Sequence, residues 1–183
     1  MNSKLICFLG APSSGKSTLA SMVHSELKRT GNNSIFVGES ASDFIAEYGI
    51  PNSPMDQMII FYKQLNRERM YIGNKEYIIC DSSTILNYFY FRSLFSEMLT
   101  LKDIAAINHL QKEILKNINR WYKIFYVNPI VANIDDGIRF HNKEEILKLD
   151  IQIKSYLQIE NIKYEDLSKI DLPKRVDYII NLI

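Results

Sequence analysis

Apolar residues along this chain fall into two alternating patterns. Short continuous runs at Leu5 to Leu9, Ile35 to Val37, Tyr77 to Cys80 and Ile124 to Val127 have the form of strands covered on both faces. Between them the apolar positions recur at helical spacing. Leu19, Met22, Val23 and Leu27 form one stripe ahead of Gly31. Met58, Tyr62 and Leu65 form another, running to an outward Arg69 and Gly73, in a segment that Ser53-Pro54-Met55-Asp56 opens with a cap residue, an early proline and an acid. Leu101 to Ile118 describes an amphipathic helix with Gln111 as its polar exception. Asn142 with Glu145 opens a helix carrying Ile146, Leu149, Ile153, Tyr156 and Leu157. A short helix at Asp43 to Tyr48, a weak fifth strand at Ile162 to Leu167 and a last helix at Asp171 to Ile183 complete the reading. Strands separated by helices cannot be hairpins, so the pattern predicts an α/β fold of three layers around a mainly parallel five-stranded sheet.

Length and charge narrow the function. The 183 residues suffice for one core, so a single domain over residues 1–183 is expected. With 22 Lys+Arg against 21 Asp+Glu the chain lacks the positive field of a duplex DNA binder, which argues against a nucleic-acid partner. Cys7 and Cys80 each sit inside an apolar run and read as core thiols of a reducing compartment. No apolar stretch reaches membrane-spanning length and the first ten residues are too short a run for a signal peptide, so a soluble, cytoplasmic protein is expected. Sequence leaves homo-oligomerisation open. His24, His109 and His141 are scattered and form no zinc pattern.

The most specific motif is Gly10-Ala11-Pro12-Ser13-Ser14-Gly15-Lys16-Ser17-Thr18, which matches the G-x-x-x-x-G-K-[ST] phosphate loop directly after a strand and at the start of a helix. Glycines allow successive N–H groups to point inward, and the helix N-terminus adds partial positive charge. Ser13, Ser14, Gly15, Lys16, Ser17 and Thr18 are the candidate ATP-binding residues, with Lys16 reaching the β and γ oxygens and the Ser17 hydroxyl on Mg²⁺. A guanine-reading N-K-x-D is missing; the nearest string, Asn142-Lys143-Glu144-Glu145, ends in Glu and begins a helix.

In a parallel sheet, ligands lie beyond the carboxyl ends of the strands. Asp81 ends the third strand, where it could hold Mg²⁺, act as a base or cap the helix starting at Ser82. Glu39 ends the second, where it could take the proton of an attacking hydroxyl or be a solvated loop acid. A base is needed for transfer to a sugar hydroxyl and not for transfer to a phosphate. Residues 132–143 have the glycine, polar and basic composition of a lid, with Arg139 and Lys143 as its cations. Tyr88-Phe89-Tyr90-Phe91 packs four aromatics after Asp81, more than one helix face can bury, so one or two are expected to line an acceptor pocket.

Together, the phosphate loop, Val37-Gly38-Glu39-Ser40-Ala41, Gln64, Ile79-Cys80-Asp81-Ser82-Ser83-Thr84 and Asp135-Asp136-Gly137-Ile138-Arg139 resemble the NadR-type ribosylnicotinamide kinase domain and related small AAA-type ATPase/kinase domains. The resemblance covers nearly the whole chain. It implies a P-loop kinase fold and phosphorylation of a nucleoside ribose hydroxyl with ATP and Mg²⁺. It also implies that Lys16 and Ser17 handle phosphate and metal, that Asp81 is the acceptor-side or metal acid, and that Arg139 belongs to the lid. Glu39 is similar in position to the strand-end base of deoxynucleoside kinases. The chain departs from relatives at Ser42, often an Arg, and at Ser83, usually an Asp. The expected activity is therefore a small-molecule kinase acting on nicotinamide riboside or a deoxynucleoside. The alternatives are a nucleoside monophosphate kinase and a regulatory ATPase with a macromolecular partner.

Overall fold

A computed structural model describes residues 2–94, 100–129 and 143–183. Among these residues five strands, β1 (Lys4–Leu9), β2 (Ser34–Val37), β3 (Tyr77–Cys80), β4 (Trp121–Tyr126) and β5 (Glu165–Asp166), are interspersed with seven α-helices. These are α1 (Lys16–Arg29), α2 (Ser40–Tyr48), α3 (Pro54–Met70), α4 (Thr84–Leu94), α5 (Leu101–Lys116), α6 (Lys143–Ile159) and α7 (Arg175–Leu182). Every pairing is parallel and the strand order is β2-β3-β1-β4-β5. The order reverses around β1, so a crevice opens at its carboxyl end, where the phosphate-loop motif begins.

Alternation along the central strands divides the core between two faces. Leu5, Cys7 and Leu9 of β1 and Ile78 and Cys80 of β3 pack with residues of α3, α4, α5 and α6. Ile6 and Phe8, with Tyr77 and Ile79, pack instead with α1 and α7. A register shift between Leu5 and Ile6 puts Trp121 and Ile124 on the same face despite their odd spacing. The three-layer parallel α/β architecture expected from the sequence is therefore present.

Two apolar stripes are rotated from their expected positions. In α1, Met22 is 52% exposed, and Ala20 takes its place in the core beside Leu19, Val23 and Leu27. In α3, Tyr62 is 39% exposed, and the buried face is Gln57, Ile60, Phe61, Gln64, Leu65 and Glu68. Polar side chains can occupy that face because backbone N–H groups and an arginine meet them, as described below. The capping box of α3, Ser53 with Asp56, forms as its sequence predicts. The fifth strand shrinks to two residues. Helix α4 buries Ile85, Leu86, Tyr88, Phe89 and Phe91 on several sides at once, so its aromatic run is mostly core and not a surplus over one face. Both cysteines are free and buried.

Candidate active site

The loop between β1 and α1 is shaped by backbone conformations that side chains resist. Gly10 has φ 152°, and a Cβ there would lie 2.2 Å from the Val127 carbonyl oxygen, so only glycine lets the loop leave β1 alongside the end of β4. Ser13 and Gly15 are left-handed at φ 61° and 81°. Gly15 is the N-cap of α1 and no side chain caps the helix, which leaves its first N–H groups directed at the loop's concavity. The Lys16 ammonium reaches back across the loop and donates to the Ala11 carbonyl at 2.9 Å, with the Ser14 hydroxyl at 3.4 Å.

The two strand-end acids arrive from neighbouring strands. The Asp81 N–H donates to the Val37 carbonyl at 3.0 Å, tying the end of β3 to the end of β2 just before Glu39. Glu39 is half-buried at the N-cap position of α2 with no capping bond of its own, and it accepts from the Ser42 hydroxyl at 3.3 Å. Burial raises the Glu39 carboxyl above its ordinary range; nearby Lys16 opposes this and Asp81 adds to it. Burial likewise raises Asp81, against the Ser17 hydroxyl bonded to it and the Lys16 charge. Lys16 is pulled down by burial, while Glu39 and Asp81 push it back up. Lys16, Ser17, Glu39 and Asp81 thus form one electrostatic cluster. Asp81 is not the cap of α4, which begins at Thr84; the Ser83 hydroxyl serves there by accepting from the Ile85 N–H at 3.2 Å. The departures at Ser42 and Ser83 each therefore have a local hydrogen-bonding role.

The cluster suits a Mg²⁺-bound polyphosphate. One Asp81 oxygen is engaged by Ser17 while Oδ1 is buried without a partner. A hydroxyl and a carboxylate are the hard oxygen donors Mg²⁺ takes, in small number, when phosphates and water complete its shell. Among the described residues no group of three or more His, Cys, Asp or Glu could hold a metal without such help.

Sequence reading named Gln64 in the family resemblance without giving it a role, and missed other buried polar groups. Gln64 is fully buried, its Oε1 accepts from the Ser40 N–H at 2.9 Å, and its Nε2 is buried without a partner. Asn87 of α4 likewise leaves Oδ1 unmet. Of the four aromatics, Tyr90 is the one coupled to Glu39: burial first, then that carboxylate, raises its phenol. Glu68 and Arg120 form a buried pair behind the Asp81 loop. The signal available was Gln64 and Glu68 at i, i+4 on a helix. Arg139 and the lid at 132–142 lie outside the described residues, and Lys143 is the first residue of α6.

Strand order, phosphate-loop geometry and acids at the ends of the adjacent strands β2 and β3 define a P-loop fold of the nucleoside and nucleotide kinase type. The model of the AAA domain family matches residues 5–175, and the chain belongs to that family. No curated protein matches it by sequence. Among solved structures it is similar to a NadR protein in complex with NR, with TM-score 0.72 and 21% identity over 98% of this chain and 51% of that one. It is also similar to deoxyadenosine kinase from M. mycoides with bound dCTP, with TM-score 0.64 and 12% identity over 97% of each chain. The chain spans about half the length of the NadR protein. No helix among the described residues is long and apolar enough to cross a membrane.

Proposed function

We propose that the protein is an ATP- and Mg²⁺-dependent kinase that transfers the γ-phosphoryl group to the ribose hydroxyl of a nucleoside, nicotinamide riboside or a deoxynucleoside. The observation that carries this reading is Glu39, a proton-hungry carboxylate held beside Lys16 and Asp81 at the mouth of the phosphate loop. A phosphate acceptor would need no base there, whereas a hydroxyl does. The two folds it resembles support the same acceptor class, one solved with NR and one a deoxyadenosine kinase.

In this reading the loop N–H groups of residues 13–18 cradle the phosphates, and Lys16 exchanges the Ala11 carbonyl for β and γ oxygens. Ser17 and Asp81 would hold Mg²⁺, which when bound would neutralise phosphate charge. Glu39 accepts the proton of the ribose hydroxyl as its oxygen attacks the γ-phosphorus, and the β–γ bridging oxygen departs with ADP. Arg139, which lies outside the described residues, is assigned the charge-neutralising role by the family resemblance alone. The unmet Gln64 Nε2 offers a donor to the base or carboxamide of the nucleoside, and Tyr90 offers a ring beside Glu39.

The test is ADP release screened over nicotinamide riboside, deoxynucleosides, monophosphates and no acceptor, with Lys16→Ala alongside. Nucleoside-dependent turnover that vanishes in the variant is expected. Turnover with monophosphates alone, or with no small acceptor, overturns the nucleoside assignment; undiminished turnover in Lys16→Ala overturns the site.

A further inference from the structure

The buried face of α3 holds both acid loops from behind. Glu68 has no exposed surface. Its Oε1 accepts from the Thr84 N–H at 2.8 Å, its Oε2 accepts from Arg120 at 2.6 Å, and the same arginine nitrogen donates to the Thr84 hydroxyl at 2.6 Å. Arg120 is itself fixed by a bond to the Asn117 carbonyl at 3.0 Å and by the Trp121 ring, 4.8 Å from its guanidinium carbon. Thr84 opens α4 three residues after Asp81, so this closed triad pins the far end of the four-residue segment whose near end is the Asp81 N–H bond to Val37. The same device recurs one turn earlier on α3, where Gln64 takes the N–H of Ser40, the residue after Glu39.

A buried ion pair is weak evidence for stability, since apolar residues of similar volume commonly do as well. Its geometry is better explained by what it orients. Resting on the kinase reading above, we propose that Glu68, locked by Arg120, is a positioning residue for Asp81: it fixes the 81–84 segment so that the carboxylate meets the Ser17 hydroxyl in the arrangement Mg²⁺ requires. Glu68 touches neither nucleotide nor metal; it acts through Thr84 on the placement of Asp81.

The test is a Mg²⁺ titration of fluorescent ADP binding on the full chain, for wild type, Glu68→Gln, Thr84→Val, Asp81→Asn and the Glu68→Gln/Asp81→Asn pair. Glu68→Gln keeps an acceptor for the Thr84 N–H and loses the charge. Thr84→Val is isosteric, removes only the hydroxyl and serves should Glu68→Gln fail to fold. The expected result is a Mg²⁺ half-saturation raised about tenfold or more in both variants, as for other groups that orient metal ligands, with metal-free ADP binding kept. The double variant should be no worse than Asp81→Asn, because Glu68 works through Asp81. Unchanged Mg²⁺ dependence in folded variants, equal loss of metal-free and metal-dependent binding, or additive losses in the double variant overturns the positioning role. Because the readout is binding, it remains legible when no acceptor is phosphorylated; failure of the wild type to bind ADP overturns the kinase site together with it.

Discussion

Replacing Arg120 by Met should destabilise the protein in a way that depends on pH. The side chain is 11% exposed and its partner Glu68 is 0% exposed, so the variant leaves a carboxylate in the core with only the Thr84 N–H and hydroxyl as donors. Removing one member of a buried pair costs about 3–5 kcal/mol. At 183 residues that corresponds to a fall in Tm of roughly 6–20 °C. The sign of the pH dependence follows from Glu68. Burial already raises its carboxyl above the unfolded value, and Arg120 is the main opposing influence. Without the arginine the folded-state pKa rises further. A carboxylate whose folded pKa exceeds its unfolded one lowers stability at high pH, and that cost fades as pH falls through the folded pKa. Between the wild-type and variant values the variant's native state carries one more proton, so the deficit should shrink by up to about 1.4 kcal/mol per pH unit on acidification. Urea unfolding of both proteins over a pH series, fitted for midpoint and slope, measures it. The double variant Arg120→Met/Glu68→Gln keeps the acceptor for Thr84, removes the charge and should show a deficit that no longer varies with pH above the wild-type folded pKa of Glu68. A deficit under about 1 kcal/mol at alkaline pH, the worth of an exposed pair, would refute the reasoning, as would a deficit constant across pH in the single variant.

Three further outcomes are expected. Turnover should rise with pH through a pKa above the ordinary carboxylate range as Glu39 loses its proton, and Glu39→Gln should flatten that limb and lower kcat by roughly 10²-fold with KM for ATP kept; a pH–rate profile of both proteins checks this. Gly10→Ala should cost about 2 kcal/mol or more and weaken ADP binding, because its Cβ meets the Val127 backbone oxygen at 2.2 Å at a left-handed φ, which thermal melting and a binding titration will show. Cys7 and Cys80 are buried and their thiols are pushed far up by burial, so a chromogenic disulfide should titrate no thiol in the native protein and two after denaturation.

The elements were legible because each carries a local cause. Continuous apolar runs mark β1, β3 and β4 as strands covered on both faces, and the Ser53/Asp56 box marks the start of α3. What sequence could not supply was the phase of a helix whose buried face is partly polar. In α3 an apolar-only count selects Met58 and Tyr62, since Gln64 and Glu68 enter the core for partners that lie 24 and 52 residues away. Met22 went astray for a simpler reason: at i+3 from Leu19 it satisfies the period, but the smaller Ala20 fits the close approach of α1 to the sheet.

The candidate site divides along the same line. The groups proposed to meet phosphate are local: the nest, Lys16 and Ser17 lie within one loop and the first turn of one helix, so a nine-residue string suffices to find them. Asp81 and Glu39 could be placed because strand ends in a parallel sheet converge on one edge. The groups that aim those acids are not local. Gln64 and Glu68 take N–H groups on segments reached through β2 and β3, and nothing in either segment's own composition requires them. Their burial has a physical consequence for specificity. The helix that fixes Glu39 and Asp81 from behind also carries the unmet Nε2 of Gln64, so on the proposed reading the spacing of the acids and the edge offered to the acceptor are set by one rigid element. A change of acceptor in this fold would then require changes on the buried face of α3 in concert with α4, whereas the nucleotide end, built on β1 and α1, could stay as it is.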